Sequence, residues 1–147
     1  MSYHFGRTSL ENLEEAHPDL QRVFYEIIKH VDCKVIEGHR GEDEQNFAYE
    51  SGRSTVRWPN SKHNVQPSLA VDVVPYPIDW EDYERFKLFG AFVMWMASRL
   101  YLEGEIEHLV RWGADWDDDG NMYEHRLVDF PHFELVPKGE FMYARKN

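Results

Sequence analysis

Cysteine is almost absent from this chain: Cys33 is the only one in 147 residues. A single thiol closes no internal disulfide and excludes a cysteine-rich zinc site, so Cys33 reads as a buried structural residue at the head of a short strand. Long hydrophobic runs are missing as well. Nothing approaches the roughly 20 apolar residues of a spanning helix, and no signal-peptide pattern opens the chain. The expectation is a protein that inserts in no membrane and stays in the cytoplasm in which it is made until something releases it. Basic charge is scarce, with 16 Lys and Arg against 27 Asp and Glu and a net charge of −11, which argues against nucleic acid as the main partner. The acids cluster at 42–44, 79–84, 103–107 and 115–119 and read mostly as solvated surface. There is no internal repeat and no linker, so the expectation is one domain over 1–147. Aromatics are the exception to this scarcity: nine Phe, eight Tyr and five Trp provide for a real core and exclude disorder.

Periodicity divides the chain into short elements. Thr8 and Glu11 have the spacing of a capping box before a short helical turn. Pro18 suits the first position of a helix in which Leu20, Val23, Phe24, Ile27, Ile28 and Val31 recur at helical spacing. Cys33 to Glu37 reads as a strand ending at Gly38, and Glu42 to Ser51 as a polar helix stopped by Gly52. Residues 53–69 lack periodicity and contain Pro59, Asn60, Asn64 and Pro67, the mark of a long functional loop. A strand follows at 70–74, closed by Pro75 and Pro77. Asp79 is placed to cap the clearest helix, with Ile78 and Tyr83 as a hydrophobic staple and Tyr83, Phe86, Phe89, Val93, Met96, Ala97 and Leu100 as the buried stripe. Strands are expected near Ile106 to Trp112 and His132 to Val136. Helices followed by short strands point to α+β with a small, mostly antiparallel sheet packed by helices.

The chemistry sits where this pattern is broken. In the apolar strand, Ala70, Asp72 and Val74 share a face, and a buried aspartate there demands a cation or a donor. His63 lies at the end of the loop that feeds this strand, and His132 opens the last one. Two histidines and one aspartate make a three-ligand zinc site with a position open to water. Asp129 is three residues before His132, and Pro131 bends the chain between them, so Asp129 can turn back toward that water as a general base. Glu134 shares a strand face with His132 and is placed to orient it. Arg40, just beyond a strand and a glycine, could stabilise an oxyanion. Asp115, Asp117 and Asp119 before Gly120 are spaced like the start of a calcium loop, but Arg126 stands where a bidentate glutamate belongs, so they read as a solvated acidic turn. Histidines 4, 17, 30, 39, 108 and 125 show no ligand spacing with one another, although His39 and His125 could approach the site.

Taken together, Ser61-x-His63, Ala70-x-Asp72 and Asp129-x-x-His132, preceded by Gly38-x-Arg40, resemble the zinc D-Ala-D-Ala metallopeptidase family. The nearest resemblance is to its phage endopeptidases, the endolysins that cut L-alanyl-D-glutamate bonds in peptidoglycan. Phe5-Gly6 with Ser9, the Arg40 to Gln45 segment and Arg111 to Trp116 extend it over nearly the whole chain. The resemblance implies a fold like the Hedgehog N-terminal domain, with zinc on His63, Asp72 and His132, and Asp129 as catalytic base. It further implies that Arg40 stabilises the transition state and that Ser61 positions substrate. The implied substrate is a peptidoglycan stem peptide, cut by a monomeric lysis enzyme of a phage or prophage that is held in the host cytoplasm and then reaches the cell wall. Eight residues separate His63 from Asp72, more than is usual in that family, and Pro67 stands in this longer loop. Aspartate rather than glutamate at position 129 favours the endopeptidase branch. Two other readings belong beside it: a D-Ala-D-Ala carboxypeptidase or dipeptidase, and a relative that binds zinc or wall peptide without turnover. A mononuclear iron oxygenase shares the ligand types but places its first histidine and acid one residue apart, unlike this chain.

Overall fold

The computed structural model describes residues 3–115 and 129–139. Among these, four helices and a four-stranded antiparallel sheet form an α+β domain. In chain order the elements are α1 (Arg7–Glu14), α2 (Pro18–Ile27), β1 (Cys33–Glu37), α3 (Glu42–Glu50), a 3₁₀ turn (Lys62–Asn64), β2 (Ala70–Pro75), α4 (Tyr83–Leu102), β3 (Val110–Trp112) and β4 (His132–Leu135). The strands lie in the order β1-β2-β4-β3.

Period-two alternation gives this sheet two unlike faces. Val35, Val71, Val73, Phe133 and Leu135 are buried in a core shared with Leu20, Val23, Phe24 and Ile27 of α2 and Phe89, Val93, Met96 and Leu100 of α4. Phe133 is the hub: Phe24 meets it edge-on at 5.5 Å, and Trp112, its cross-strand partner, stacks on it at 6.2 Å. The opposite face carries the polar exceptions. Antiparallel pairing sets Asp72 directly opposite His132, Glu37 opposite Asp72, and Arg111 opposite Glu134.

Several local expectations are corrected by the structure. Gly6, not Thr8, is the N-cap of α1, with no side-chain cap, so Thr8 lies within the helix and the capping box does not form. Asp82, not Asp79, caps α4 by accepting from the Arg85 amide. Asp79 instead accepts from the Glu81 amide in the turn before the helix. Tyr83 therefore begins the helix on its outer side and is 57% exposed, outside the buried stripe. Pro75 still pairs with Cys33, so β2 runs one residue further before Tyr76 leaves the ladder. The strand expected from Ile106 is confined to Val110–Trp112.

The helix at Pro18 and the stop at Gly52 form as expected. His17 caps α2 by accepting from the Asp19 amide, and Gly52 adopts φ +82°, which glycine permits at no steric cost. None of the helices formed by the described residues is long and apolar enough to cross a membrane.

Candidate active site

Three elements bring the candidate ligands together. Ser61 caps the 3₁₀ turn: its hydroxyl accepts from the His63 amide at 3.2 Å, and Asn64 Oδ1 accepts in return from the Ser61 amide at 2.9 Å. This reciprocal cap fixes the turn that carries His63. Asp72 projects from the middle of β2, and His132 is the first residue of β4, directly across the ladder. His63 and His132 are buried, and their rings meet edge-on at 5.2 Å. One ligand atom from each of His63, Asp72 and His132 lies within 4.8 Å of the others.

The hydrogen bonds at the back of each imidazole decide which nitrogen faces forward. His63 Nδ1 is 2.8 Å from the Gly38 carbonyl oxygen, which can only accept, so Nδ1 carries the proton and Nε2 presents a lone pair. His132 Nε2 is 2.8 Å from Glu134 Oε1, which likewise leaves Nδ1 as the forward atom. Both forward nitrogens are 3.3 Å from Asp72 Oδ1. His63 Nε2 and Asp72 Oδ1 are buried and make no hydrogen bond among the described residues. Lone pairs converging on one buried point repel unless a proton or a metal cation lies among them. With two imidazoles and one carboxylate as donors, the residues fit zinc.

The ionisable groups of the site stabilise one another's charged forms. Burial alone would raise the Asp72 carboxyl, but the two imidazoles outweigh it and hold the group well below the usual carboxylate range. Burial would lower His132, yet Asp72 and Glu134 hold its pKa up at about 10. Glu134, despite its burial, is pulled down to about 2 by His132 and Lys62. Lys62 Nζ reaches Glu134 Oε2 at 2.9 Å and donates to the Leu135 carbonyl at 2.7 Å, and Arg111 approaches the same carboxylate at 3.6 Å. Glu134 is thus held from behind while it holds His132.

Above the trio opens a cleft of about 670 Å³, lined by Glu37, Arg40, Ser61, Asp129 and the trio itself, with the 53–56 loop along one side. Asp129 stands on the bend before β4. Its amide donates to Gly113 O at 2.9 Å, and its carbonyl accepts from the His132 amide at 3.2 Å. Burial, and then the Asp72 charge, raise its pKa above the ordinary value. Gly113 is required at this junction, because a Cβ there would lie 2.4 Å from Asp129 O and 3.1 Å from His132 Cβ. Arg40 is aimed by two acceptors, Glu37 Oε1 at 2.7 Å and Gln45 Oε1 at 3.0 Å. The extra length between His63 and Asp72 is taken up away from the cleft: Val65, Gln66 and Pro67 are exposed, while Ser68 is buried and bonded to the backbone at Glu15 and Ala70.

Sequence reasoning did not single out Gln45 and Lys62 as parts of this arrangement. Gln45 is fully buried, accepts from Arg40 and Asn64, and donates to Ser54 Oγ and the Val56 carbonyl. The available signal was a polar residue three before Ala48 on the only buried stripe of α3. The spacing argument also missed a second histidine cluster, His17, Asp19 and His108. There Asp19 Oδ2 accepts from His108 Nδ1 at 2.7 Å and from the Glu107 and His108 amides at 3.0 and 3.1 Å. With His17 Nδ1 accepting the Asp19 amide, the cluster is a satisfied staple between α2 and the approach to β3. His39 is outside the cleft lining, and His125 lies beyond the described residues. Of the acidic run, Asp115 is buried and pairs with Trp112 in an isolated bridge rather than standing in solvent, while Asp117 and Asp119 fall outside the described residues.

Comparison with known proteins finds relatives along most of the chain. The model of the family described as phage L-alanyl-D-glutamate peptidase matches residues 1–136. The chain is 28% identical over 148 aligned positions to the L-alanyl-D-glutamate peptidase of Escherichia phage T5, covering 92% of this chain and all of that one. The crystal structure of the Serratia marcescens L-Ala D-Glu endopeptidase ChiX superposes with a TM-score of 0.65 at 29% identity, over 90% of each chain. With residues 1–136 of its 147 matched, this chain belongs to the phage L-alanyl-D-glutamate peptidase family.

Proposed function

We propose that this protein is a zinc-dependent endopeptidase that hydrolyses the L-alanyl-D-glutamate bond of peptidoglycan stem peptides, as a lysis enzyme of a phage or prophage. The observation that carries this reading is the convergence of His63 Nε2, Asp72 Oδ1 and His132 Nδ1 on one buried point at the floor of an open cleft. Zinc held by these three residues supplies Lewis-acid polarisation and a water acidic enough to ionise near neutral pH. Gly38 O and Glu134 orient the two imidazoles so that both keep their ligand atoms forward. Asp129, buried beside Asp72 and made more basic by that burial and charge, accepts a proton from the attacking water and returns it to the leaving amine. Arg40, fixed by Glu37 and Gln45, offers its guanidinium to the oxyanion of the tetrahedral intermediate. Ser61 lines the same cleft and positions the peptide there. All these groups come from one chain, so a single copy suffices for the proposed chemistry.

The test is digestion of purified peptidoglycan with zinc-loaded protein, with new ends read by mass spectrometry. New N-terminal D-glutamate, abolished by a chelator and restored by zinc, is the expected result. Release of D-alanine or of D-Ala-D-Ala would instead make the protein a carboxypeptidase or dipeptidase. Zinc binding without any release would leave a binding relative.

A further inference from the structure

Among the described residues, the cleft presents three cations to whatever enters it: Arg40, Arg53 and Lys62. Two are already committed. Arg40 is engaged by Glu37 and Gln45, and Lys62 by Glu134 and the Leu135 carbonyl. Arg53 differs. It has no carboxylate partner among the described residues; its Nε donates to Ser51 Oγ at 3.2 Å, and its guanidinium lies 5.5 Å from the centre of the Phe47 ring. A hydroxyl and an aromatic face orient an arginine without neutralising it. The two terminal nitrogens of the fork have no hydrogen-bond acceptor among the described residues, so they are open to a planar, bidentate anion.

The rest of the lining makes that charge significant. Glu37, Glu44, Asp72, Asp129 and Glu134 all border the same cleft, in a chain whose net charge is −11. An anionic substrate would be repelled there unless a cation met it. The residue on the leaving side of an L-alanyl-D-glutamate bond brings such an anion. Glutamate has two carboxyl groups, so one stays ionised when the peptide continues through the other.

We propose that Arg53 is a specificity-determining residue that pairs with the free carboxylate of the glutamate beyond the scissile bond. This inference rests on the endopeptidase reading above. It assigns Arg53 a part in recognition, separate from the oxyanion assigned to Arg40. The Phe47 ring, 62% exposed on the cleft wall, is then the platform that holds the guanidinium at the rim.

The experiment compares two synthetic stem peptides that differ only in whether that carboxyl is free or a carboxamide. Zinc-loaded wild type, Arg53→Gln and Arg53→Lys are assayed for kcat/KM on both. Wild type is expected to prefer the carboxylate by roughly tenfold or more, the discrimination of one charge-assisted bidentate contact. In Arg53→Gln the preference should collapse toward unity, chiefly through KM, and Arg53→Lys should restore part of it. General damage to the fold would instead lower both peptides by one common factor. An Arg53→Gln enzyme that keeps the preference would overturn the proposal, as would a wild type that cuts both peptides equally. A zinc-loaded wild type that cuts neither peptide would overturn the endopeptidase reading itself, and Arg53's role with it.

Discussion

At the scale of single residues, each group in the site is held by a partner that leaves one atom free for work. His63 and His132 are pinned from behind, by Gly38 O and Glu134, and so turn their other ring nitrogens toward Asp72. Replacing either histidine with alanine should abolish both zinc binding and activity, measured by metal content and turnover. Asp129 is different in kind, because it borders the trio without belonging to it. Asp129→Asn is therefore expected to retain zinc while kcat falls by about 10²–10⁴, the usual contribution of a positioned base. A variant with near-normal turnover would remove the assigned role. Gln45 works at one remove, through the bonds it gives and receives in the interior. Gln45→Ala removes one hydrogen bond each from Arg40, Asn64, Ser54 and the Val56 carbonyl, and should cost about 1–3 kcal/mol in denaturant unfolding.

At the scale of elements, two joints hold the sheet against its helices. The first is the Asp19 staple between α2 and the 106–108 segment. Burial alone would raise the Asp19 carboxyl, but the hydrogen bonds from His108 and the two amides outweigh it and lower it from its ordinary value of 3.8. A group depressed in the folded state contributes stability fully above its unfolded pKa and loses it as pH falls through the folded one. Asp19→Ala should thus destabilise the protein by about 1–3 kcal/mol at neutral pH, with the gap to wild type closing below pH 4 in parallel acid titrations. The second joint is Gly90 on α4, where a Cβ would lie 2.0 Å from the Trp112 ring. Gly90→Ala should cost about 1–3 kcal/mol through overpacking, despite alanine's better helix propensity. A variant as stable as wild type would show that Trp112 and Phe133 can shift together.

At the scale of the whole molecule, one face of a small sheet supplies the core and the other supplies the site. The β2–β4 pairing that buries Val71 and Phe133 also aligns Asp72 with His132. Fold and site are therefore coupled. A metal that binds only the folded chain adds RT ln(1 + [L]/Kd), about 2.7 kcal/mol at a hundredfold excess over Kd. Chelation is expected to lower Tm by several degrees, with zinc restoring it in a thermal scan. An unchanged Tm on chelator and on added zinc would argue against a structurally linked ion.

Much of this was legible in the chain itself. Hydrophobic periodicity located β1, β2, α2 and the interior of α4, because burial of one face imposes a spacing that no other arrangement needs. Asp72 and His132, polar residues inside strands, drew attention to themselves for the same reason, and His63 did so at the end of the loop that feeds β2. Helix starts were less legible. Thr8 and Gly6, or Asp79 and Asp82, both satisfy local rules for a cap, and which of them serves depends on where the packed face begins. The tertiary structure alone decided which imidazole nitrogens point inward, that Gln45 aims Arg40, that Asp19 meets His108 across 89 positions, and that Arg53 stands on the cleft wall with no carboxylate partner among the described residues. Those relations are set by distances between elements far apart in sequence. Residue type and local spacing carry no record of them until the β2–β4 ladder closes.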